Sequence, residues 1–440
     1  MLVEFSVENY RSFKERVTFS MLASDSTAHE EANVVTMPDG TRLLKSAVIY
    51  GANASGKSNL IRAMEYLGVF IANSANLSPN IHYYRDTFAL DKEWISRPIK
   101  FDVIFYVKET KYAYGIVFEE SAIKEEYLYS FDDGKQLVVF ERSLDIIIPD
   151  EMGLQLAYKY SHEFGSNPNW KKLNEITQFV VPYKSFLSVA VALNQLELLG
   201  VYSVLCGLKK YTIDRTVEIL RGAGNLSKDT PLYGGGYHDF VKNAIHWVKE
   251  IDVGITNVLF PYYGKLLSDN NKKDNSDATS MYKKILAKIT TLHGDENELN
   301  FLEHESEGTK AFFAMAVAIA EKRFIRSIML VDELSCHFHP LLSKRVVEIF
   351  NSKKDTSRSQ LIFTTHDTNL LDLDLFRRDQ IWFVEKSTET GASEIFSLHD
   401  FDDMPVDSSE IDVEKSYLYG AYGAIPFIKD GLIDGGEGNE

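Results

Sequence analysis

The sequence predicts an α/β fold: a mixed, mainly parallel core sheet, an antiparallel β subdomain and a helical insertion between the two halves of the core. Three observations predict it. An apolar strand, Ser46 to Tyr50, runs straight into the loop Gly51-Ala-Asn-Ala-Ser-Gly-Lys-Ser58, and helical spacing begins at Asn59. From Ile99 the pattern changes to four segments rich in aromatic and β-branched residues. From Glu307 helical and strand patterns alternate again. Strands alternating with helices imply a sheet covered by helices, whereas closely spaced strands with short polar turns imply hairpins.

Composition sets the outer bounds. Hydrophobic residues make up 45% of the 440 and charged residues 25%, which excludes a disordered chain, a collagen-like repeat and a small disulfide scaffold. One large domain or two to three lobes are expected. The 47 basic and 64 acidic side chains leave a formal charge of −17, so generic charge-driven binding to nucleic acid is disfavoured and only a local basic groove could supply it. Ten acids against two lysines put a net −8 in the last 40 residues. Two cysteines, Cys206 and Cys336, lie far apart, as in a reducing cytoplasm. The longest strongly apolar run is ten residues, 311–320, against about twenty for a membrane helix, so no membrane partner is expected. The start, MLVEFSVENYRSFKE, has neither the basic opening nor the apolar stretch of a signal peptide.

Taken in order, 2–7 reads as a strand and 9–13 as its turn. After the strand 46–50, the helix 59–70 places Leu60, Ala63, Met64 and Leu67 on one face. Segments 99–107, 111–118, 123–131 and 135–141 form a meander, with turns at 108–110 and 132–134. Residues 185–260 are mostly helical in pattern, interrupted near 222–224 and 234–236, and 268–280 is a polar connection. A helix over 307–323, a strand 327–331, a helix 341–351 and strands 360–364 and 380–384 complete the core. Beyond residue 400 only 417–428 has the apolar content to pack. The expected division is a first lobe at 1–165, the insertion at 166–280, a second lobe at 281–400 and an acidic tail at 401–440.

Four segments carry chemistry. The loop 51–58 fits G-x-x-x-x-G-K-[ST] in the strand–loop–helix context that gives the match meaning. Its glycines let backbone N–H groups curl round phosphate oxygens, and the helix start adds partial positive charge. Lys57 is placed to reach the β- and γ-phosphates and the Ser58 hydroxyl to ligate Mg²⁺. The strand 327–331 ends in Asp332-Glu333. Beside such a loop the first acid sits near the metal, and the second can orient or deprotonate the attacking water. The strand 360–364 continues into Thr365-His366-Asp367, with His366 33 residues after Glu333. In a parallel sheet one helix and one strand bring both ends to the same edge. There His366 could bond the γ-phosphate or hold the water; the plainer alternative is a helix-capping turn. Finally, Glu305-Ser306-Glu307-Gly308-Thr309-Lys310 precedes an apolar helix, where spacing alone makes Ser306 an N-cap.

These segments, in this order, resemble the ABC-type ATPase head shared by SMC and RecF proteins. NYRSF, GANASGKSNL, SEGTK, VDEL followed by HP, IFTTHD and the late YGAIPFI resemble more closely the stand-alone ATPases related to the OLD, RloA and AbiL proteins. The resemblance spans nearly the whole chain and implies ATP and Mg²⁺ as ligands. It implies a homodimer or higher oligomer in which each nucleotide lies between one copy's loop (Gly51, Asn53, Ala54, Ser55, Gly56, Lys57, Ser58, Asn59) and the other copy's Ser306, Gly308, Thr309 and Lys310. It further implies Glu333 as general base, His366 as γ-phosphate sensor, Asp332 with Ser58 at the metal, and Arg11 approaching the phosphates.

The sequence departs from that pattern. Glu305 replaces a usual leucine and Glu307 a usual glycine, 335–340 replaces the usual loop ending in aspartate, and no Q-loop glutamine follows the strands 99–118. Cys336, His337 and His339 lack a fourth ligand at zinc spacing. The 74 residues after His366 are too few for the Toprim nuclease domain of OLD proteins. The resulting expectation is an ATPase that regulates a separately encoded effector, a nuclease or toxin, in anti-phage defence. The alternatives are a RecF- or SMC-like DNA-repair ATPase, for which Lys209, Lys210, Arg215, Arg221 and Lys228 could line a groove, and a slowly hydrolysing nucleotide-gated scaffold.

Overall fold

In the computed structural model the described residues are 1–78, 86–119, 122–150, 153–160, 168–211, 244–249, 255–259, 290–294, 297–325, 327–354, 357–401 and 412–425. Strand Ser46–Tyr50 is buried at all of its residues, the signature of a central strand covered on both faces. Its side chains alternate between two cores. Ala47 and Ile49 share one with Leu60, Ala63, Met64 and Leu67, the apolar face of helix Lys57–Asn73. Val48 and Tyr50 share the other with Phe312, Phe313 and Ala316 of helix Glu307–Ile325 and with Val346, Val347 and Phe350 of helix Pro340–Phe350.

The core sheet has the order Ile328–Val331, Gln360–Thr364, Ser46–Tyr50, Ile381–Lys386, Ser393–Ser397. The first four are parallel and the fifth antiparallel. Val331 pairs with Phe363 and Thr364 with Ile49, so Asp332, Thr365 and Gly51 leave the sheet along one edge. Residues more than 300 positions apart are tied here. The buried Gln360 amide donates to Leu2 O and Leu44 O, each at 3.0 Å.

The meander lies in a seven-stranded antiparallel sheet. Its order is Gly153–Tyr160, Lys135–Asp150, Ala122–Asp132, Thr110–Glu119, Ile99–Val107, Leu2–Glu8, Val17–Ser20. Asp133 and Gly134, with φ of 46° and 75°, form the two-residue turn whose twist matches the flanking strands. The sheet extends past the four expected strands because the N-terminal strand pairs with Ile99–Val107 and 153–160 pairs with 135–150. The Glu126 carboxylate is fully buried in it, paired with Arg142. It accepts from Ser185 Oγ and Phe186 N, both at 2.7 Å, at the start of helix Phe186–Ala192. A satisfied charge at a helix N-terminus joins the sheet to that helix.

One expectation is corrected. The helical pattern drawn through residue 260 ends in a strand, Ile255–Leu259, which pairs with Thr290–His293 and through it with Asn297–Asn300. Ile255, Thr256 and Val258 are β-branched, and cross-strand partners decide such short apolar runs. The breaks at 222–224 and 234–236, the connection 268–280, and Arg215, Arg221 and Lys228 lie outside the described residues. Of the late segment, Tyr417, Tyr422 and Ala424 are buried, the two rings stacking on Phe383; 426–428 lie outside the description. Among the described residues no helix is long and apolar enough to cross a membrane.

Candidate nucleotide site

The loop between Ser46–Tyr50 and Lys57–Asn73 closes into a tight cradle. Gly56 has φ of 119°, and a Cβ there would stand 2.5 Å from Ser393 Oγ and 2.8 Å from Ser12 Oγ. A Cβ at Gly51 would meet Val384 O at 2.3 Å. No residue other than glycine fits either position. Asn53 and Ala54 are exposed at the tip. Ser55 Oγ is buried without a hydrogen-bond partner, and its carbonyl accepts from Ser393 Oγ at 2.5 Å. Asn59 donates to Ser12 Oγ at 2.8 Å.

Lys57 is buried and donates to the loop carbonyls of Gly51 and Ala52, each at 2.8 Å. Desolvation lowers its pKa from 10.5 to about 8, against the opposing charges of Asp332 and Glu333.

Asp332 is the centre of the site. Its Oδ1 accepts from Ser58 Oγ at 2.9 Å and Thr364 Oγ1 at 2.8 Å, and its Oδ2 from Lys210 Nζ at 2.9 Å. Burial alone would raise the carboxyl's pKa, but the hydrogen bonds from Lys210, Thr364 and Ser58 outweigh it and hold the group ionised. Thr364 Oγ1 also accepts from Glu333 N at 2.8 Å, so one hydroxyl positions both acids. Glu333 adopts a left-handed turn, φ 59° and ψ 57°, a costly conformation for a residue with a side chain. It lines a cavity of about 340 Å³ with Ser335, Cys336, Phe338, Pro340, Thr365, His366 and Asp367. Desolvation and then the charge of Lys57 lower the pKa of His366, with Glu333 and Asp332 opposing. Burial and the neighbouring ammonium thus disfavour its imidazolium form.

The structure thus gathers Lys57, Ser58, Asp332, Glu333 and His366 at one edge. Ser306 is exposed at the start of helix Glu307–Ile325, where its hydroxyl accepts from Thr309 N at 3.1 Å; Gly308, Thr309 and Lys310 are half-buried beside it. The unusual Glu305 is buried and accepts from Thr291 Oγ1 and, at 2.7 Å, from His293 Nε2. The Arg11 guanidinium pairs with Asp86 at 2.5 Å and its backbone N–H bonds Asp86 O at 2.6 Å, while the neighbouring Ser12 accepts from Asn59 at the loop's end. Spacing gave no sign of Ser12, Ser393 or Lys210 at the site. Thr364 had one: it is the last residue of a strand aimed at the same edge.

The donor set fits the ligands that the resemblance implies. An orphaned buried hydroxyl in a glycine cradle suits phosphate oxygens, and a serine hydroxyl with an ionised carboxylate suits Mg²⁺, a hard cation.

Fold and site define the class: an α/β protein with a phosphate-binding loop at the switch edge of its parallel sheet. The chain belongs to the family described as "AAA domain, putative AbiEii toxin, Type IV TA system", which matches residues 46–176 and 220–372. No curated protein matches the sequence. Among solved structures, the Smc head bound to the C-winged helix domain of ScpA is similar at 14% identity and a TM-score of 0.48, covering 90% of this chain and 97% of that one. The SMC head domain from Thermotoga maritima gives 12% and 0.42, covering 90% and 98%. The Smc head domain with an extended coiled coil, bound to the C-terminal domain of ScpA derived from Pyrococcus furiosus, gives 13% and 0.42, covering 90% and 96%.

Proposed function

We propose that this protein binds ATP with Mg²⁺ in the loop 51–58 and hydrolyses it to ADP and phosphate. The observation that carries the reading is the linked set Ser58–Asp332–Thr364–Glu333, closed by hydrogen bonds at the edge where Lys57 and His366 also lie. On this reading Lys57 exchanges the carbonyls of Gly51 and Ala52 for the β- and γ-phosphate oxygens. Ser58 and Asp332 hold the metal, which when bound neutralises charge on the phosphates. Glu333 takes a proton from water as the water oxygen bonds to the γ-phosphorus and the bond to ADP breaks. Neutral His366 donates a ring N–H to a γ-phosphate oxygen.

Two copies complete the site. The exposed Ser306, at a helix N-terminus suited to anions, reaches the partner's nucleotide with Gly308, Thr309 and Lys310. Turnover then controls a separately encoded effector, a nuclease or toxin, in anti-phage defence. The family description, which names a toxin and a type IV toxin–antitoxin system, supports this choice. The alternative is a RecF- or SMC-like DNA-repair ATPase; Lys210, one of the five basic residues that could line its groove, pairs with Asp332.

The test is Glu333→Gln. Hydrolysis should fall by about 10²-fold or more, the range for a removed general base, while ATP binding persists and the mass in solution doubles with nucleotide. A rate equal to wild type, or a persistent monomer, sinks the mechanism. Co-purification with the products of neighbouring genes, and phage plating, test the effector.

A further inference from the structure

We propose that Lys210 is a built-in counter-cation: its ammonium pairs with the Asp332 carboxylate that would hold the divalent ion, and the two cations compete for it. This rests on the reading of Ser58 and Asp332 as the metal-side pair.

Asp332 is 8% exposed in its side chain and has both oxygens committed. Two hydroxyls occupy Oδ1, and the Lys210 ammonium lies 2.9 Å from Oδ2. A cation drawn to this carboxylate meets a positive charge one hydrogen bond away, in surroundings that screen it poorly. Removing that ammonium without replacement would strand a buried carboxylate, which is costly. The two cations therefore exclude each other, and each satisfies Asp332 when the other is absent.

Lys210 is also held by its backbone, unlike a free surface lysine. Residue 210 bridges Leu330 in parallel, and Tyr211 N donates to Leu330 O at 2.6 Å. The segment thus lies along the strand that delivers Asp332. Just before it, the Leu208 carbonyl packs so closely on helix Lys57–Asn73 that a Cβ at Gly68 would stand 2.5 Å away. The backbone at Lys210 is thus packed between the acid-bearing strand and the loop helix. Lys210 is one of five basic residues that could line a groove or form a solvated helix face; its contact with Asp332 assigns it instead to the metal side.

The experiment is Mn²⁺ binding to the full chain by electron paramagnetic resonance, with a non-hydrolysable ATP analogue, in the wild type and in Lys210→Met, Lys210→Gln and Lys210→Arg. Gln removes the charge but leaves Asp332 a hydrogen bond, which guards against misfolding. Both neutral variants should bind Mn²⁺ about tenfold more tightly or better, and Arg, which keeps the charge, should stay within about threefold of wild type. In EDTA, Lys210→Met should melt below wild type, and Mn²⁺ should close the gap. Ser58→Ala separates the two readings. If the wild type binds Mn²⁺ in a Ser58-dependent way and neither neutral variant binds it more tightly, the counter-cation alone is overturned. If no protein shows nucleotide-dependent Mn²⁺ binding, the metal-side reading falls with it.

Discussion

Raising the pH from about 7 to about 9 should make nucleotide binding draw a proton from solution, because phosphate oxygens keep Lys57 charged whereas without them it loses its proton over that range. Its amine is buried against the loop carbonyls, and desolvation lowers the pKa from 10.5 to about 8. At about 1.4 kcal/mol per unit, holding the ammonium there costs about 3 kcal/mol. Phosphate oxygens reverse that cost. A group with a pKa of about 8 is about nine-tenths protonated at pH 7 and about one-tenth at pH 9. Proton uptake on binding should therefore climb from about 0.1 to about 0.9, and affinity should fall by up to about tenfold per pH unit above 8. Calorimetry in buffers of different ionisation enthalpy measures the uptake directly. Lys57→Arg, which stays charged throughout, removes the nucleotide's own ionisation from the comparison. Uptake that is flat with pH and equal in both proteins would refute the desolvated-lysine account. The same shift bears on stability. Between about pH 8 and 10.5 the unfolded chain holds the extra proton, so this group's penalty on the fold is full below that window and is relieved as pH rises through it.

Two further substitutions probe the supporting frame. Thr364→Val keeps the shape but removes the hydroxyl that donates to Asp332 and accepts from Glu333 N. It should cost about 1–3 kcal/mol in urea unfolding and slow turnover more than it weakens nucleotide binding, with Thr364→Ser restoring both. Gly68→Ala drives a methyl into the carbonyls of Leu208 and Leu205, at 2.5 and 2.9 Å. The expected loss is about 1–3 kcal/mol, and unchanged stability would show that helix Lys57–Asn73 does not rest on that segment.

Much of the frame is legible because it is local. The strand 46–50 is five apolar or small residues ahead of a glycine loop, and it folds as read. The helix face of Leu60, Ala63, Met64 and Leu67 is buried as its period requires. The strand 360–364 ends where its apolar run ends. The strand 255–259 is not legible locally, because Ile-Thr-Asn-Val-Leu is too short and mixed to carry a period of its own, and its partner, Thr290–His293, lies some 30 residues on.

By itself, then, the amino-acid order determined which residues sit at strand ends and helix starts: the glycine loop, Lys57 and Ser58, the acids Asp332 and Glu333, and His366. Those positions follow from short-range period, turn chemistry and the need to bury alternate side chains. Tertiary structure alone decided what each polar group touches. It turned Arg11 to Asp86, sealed the loop with Ser12 and Ser393, satisfied the odd Glu305 with Thr291 and His293, and set Lys210 on Asp332. The physical reason is that a buried charge or hydroxyl must find a partner in space, and spacing along the chain holds no record of which distant segment supplies it.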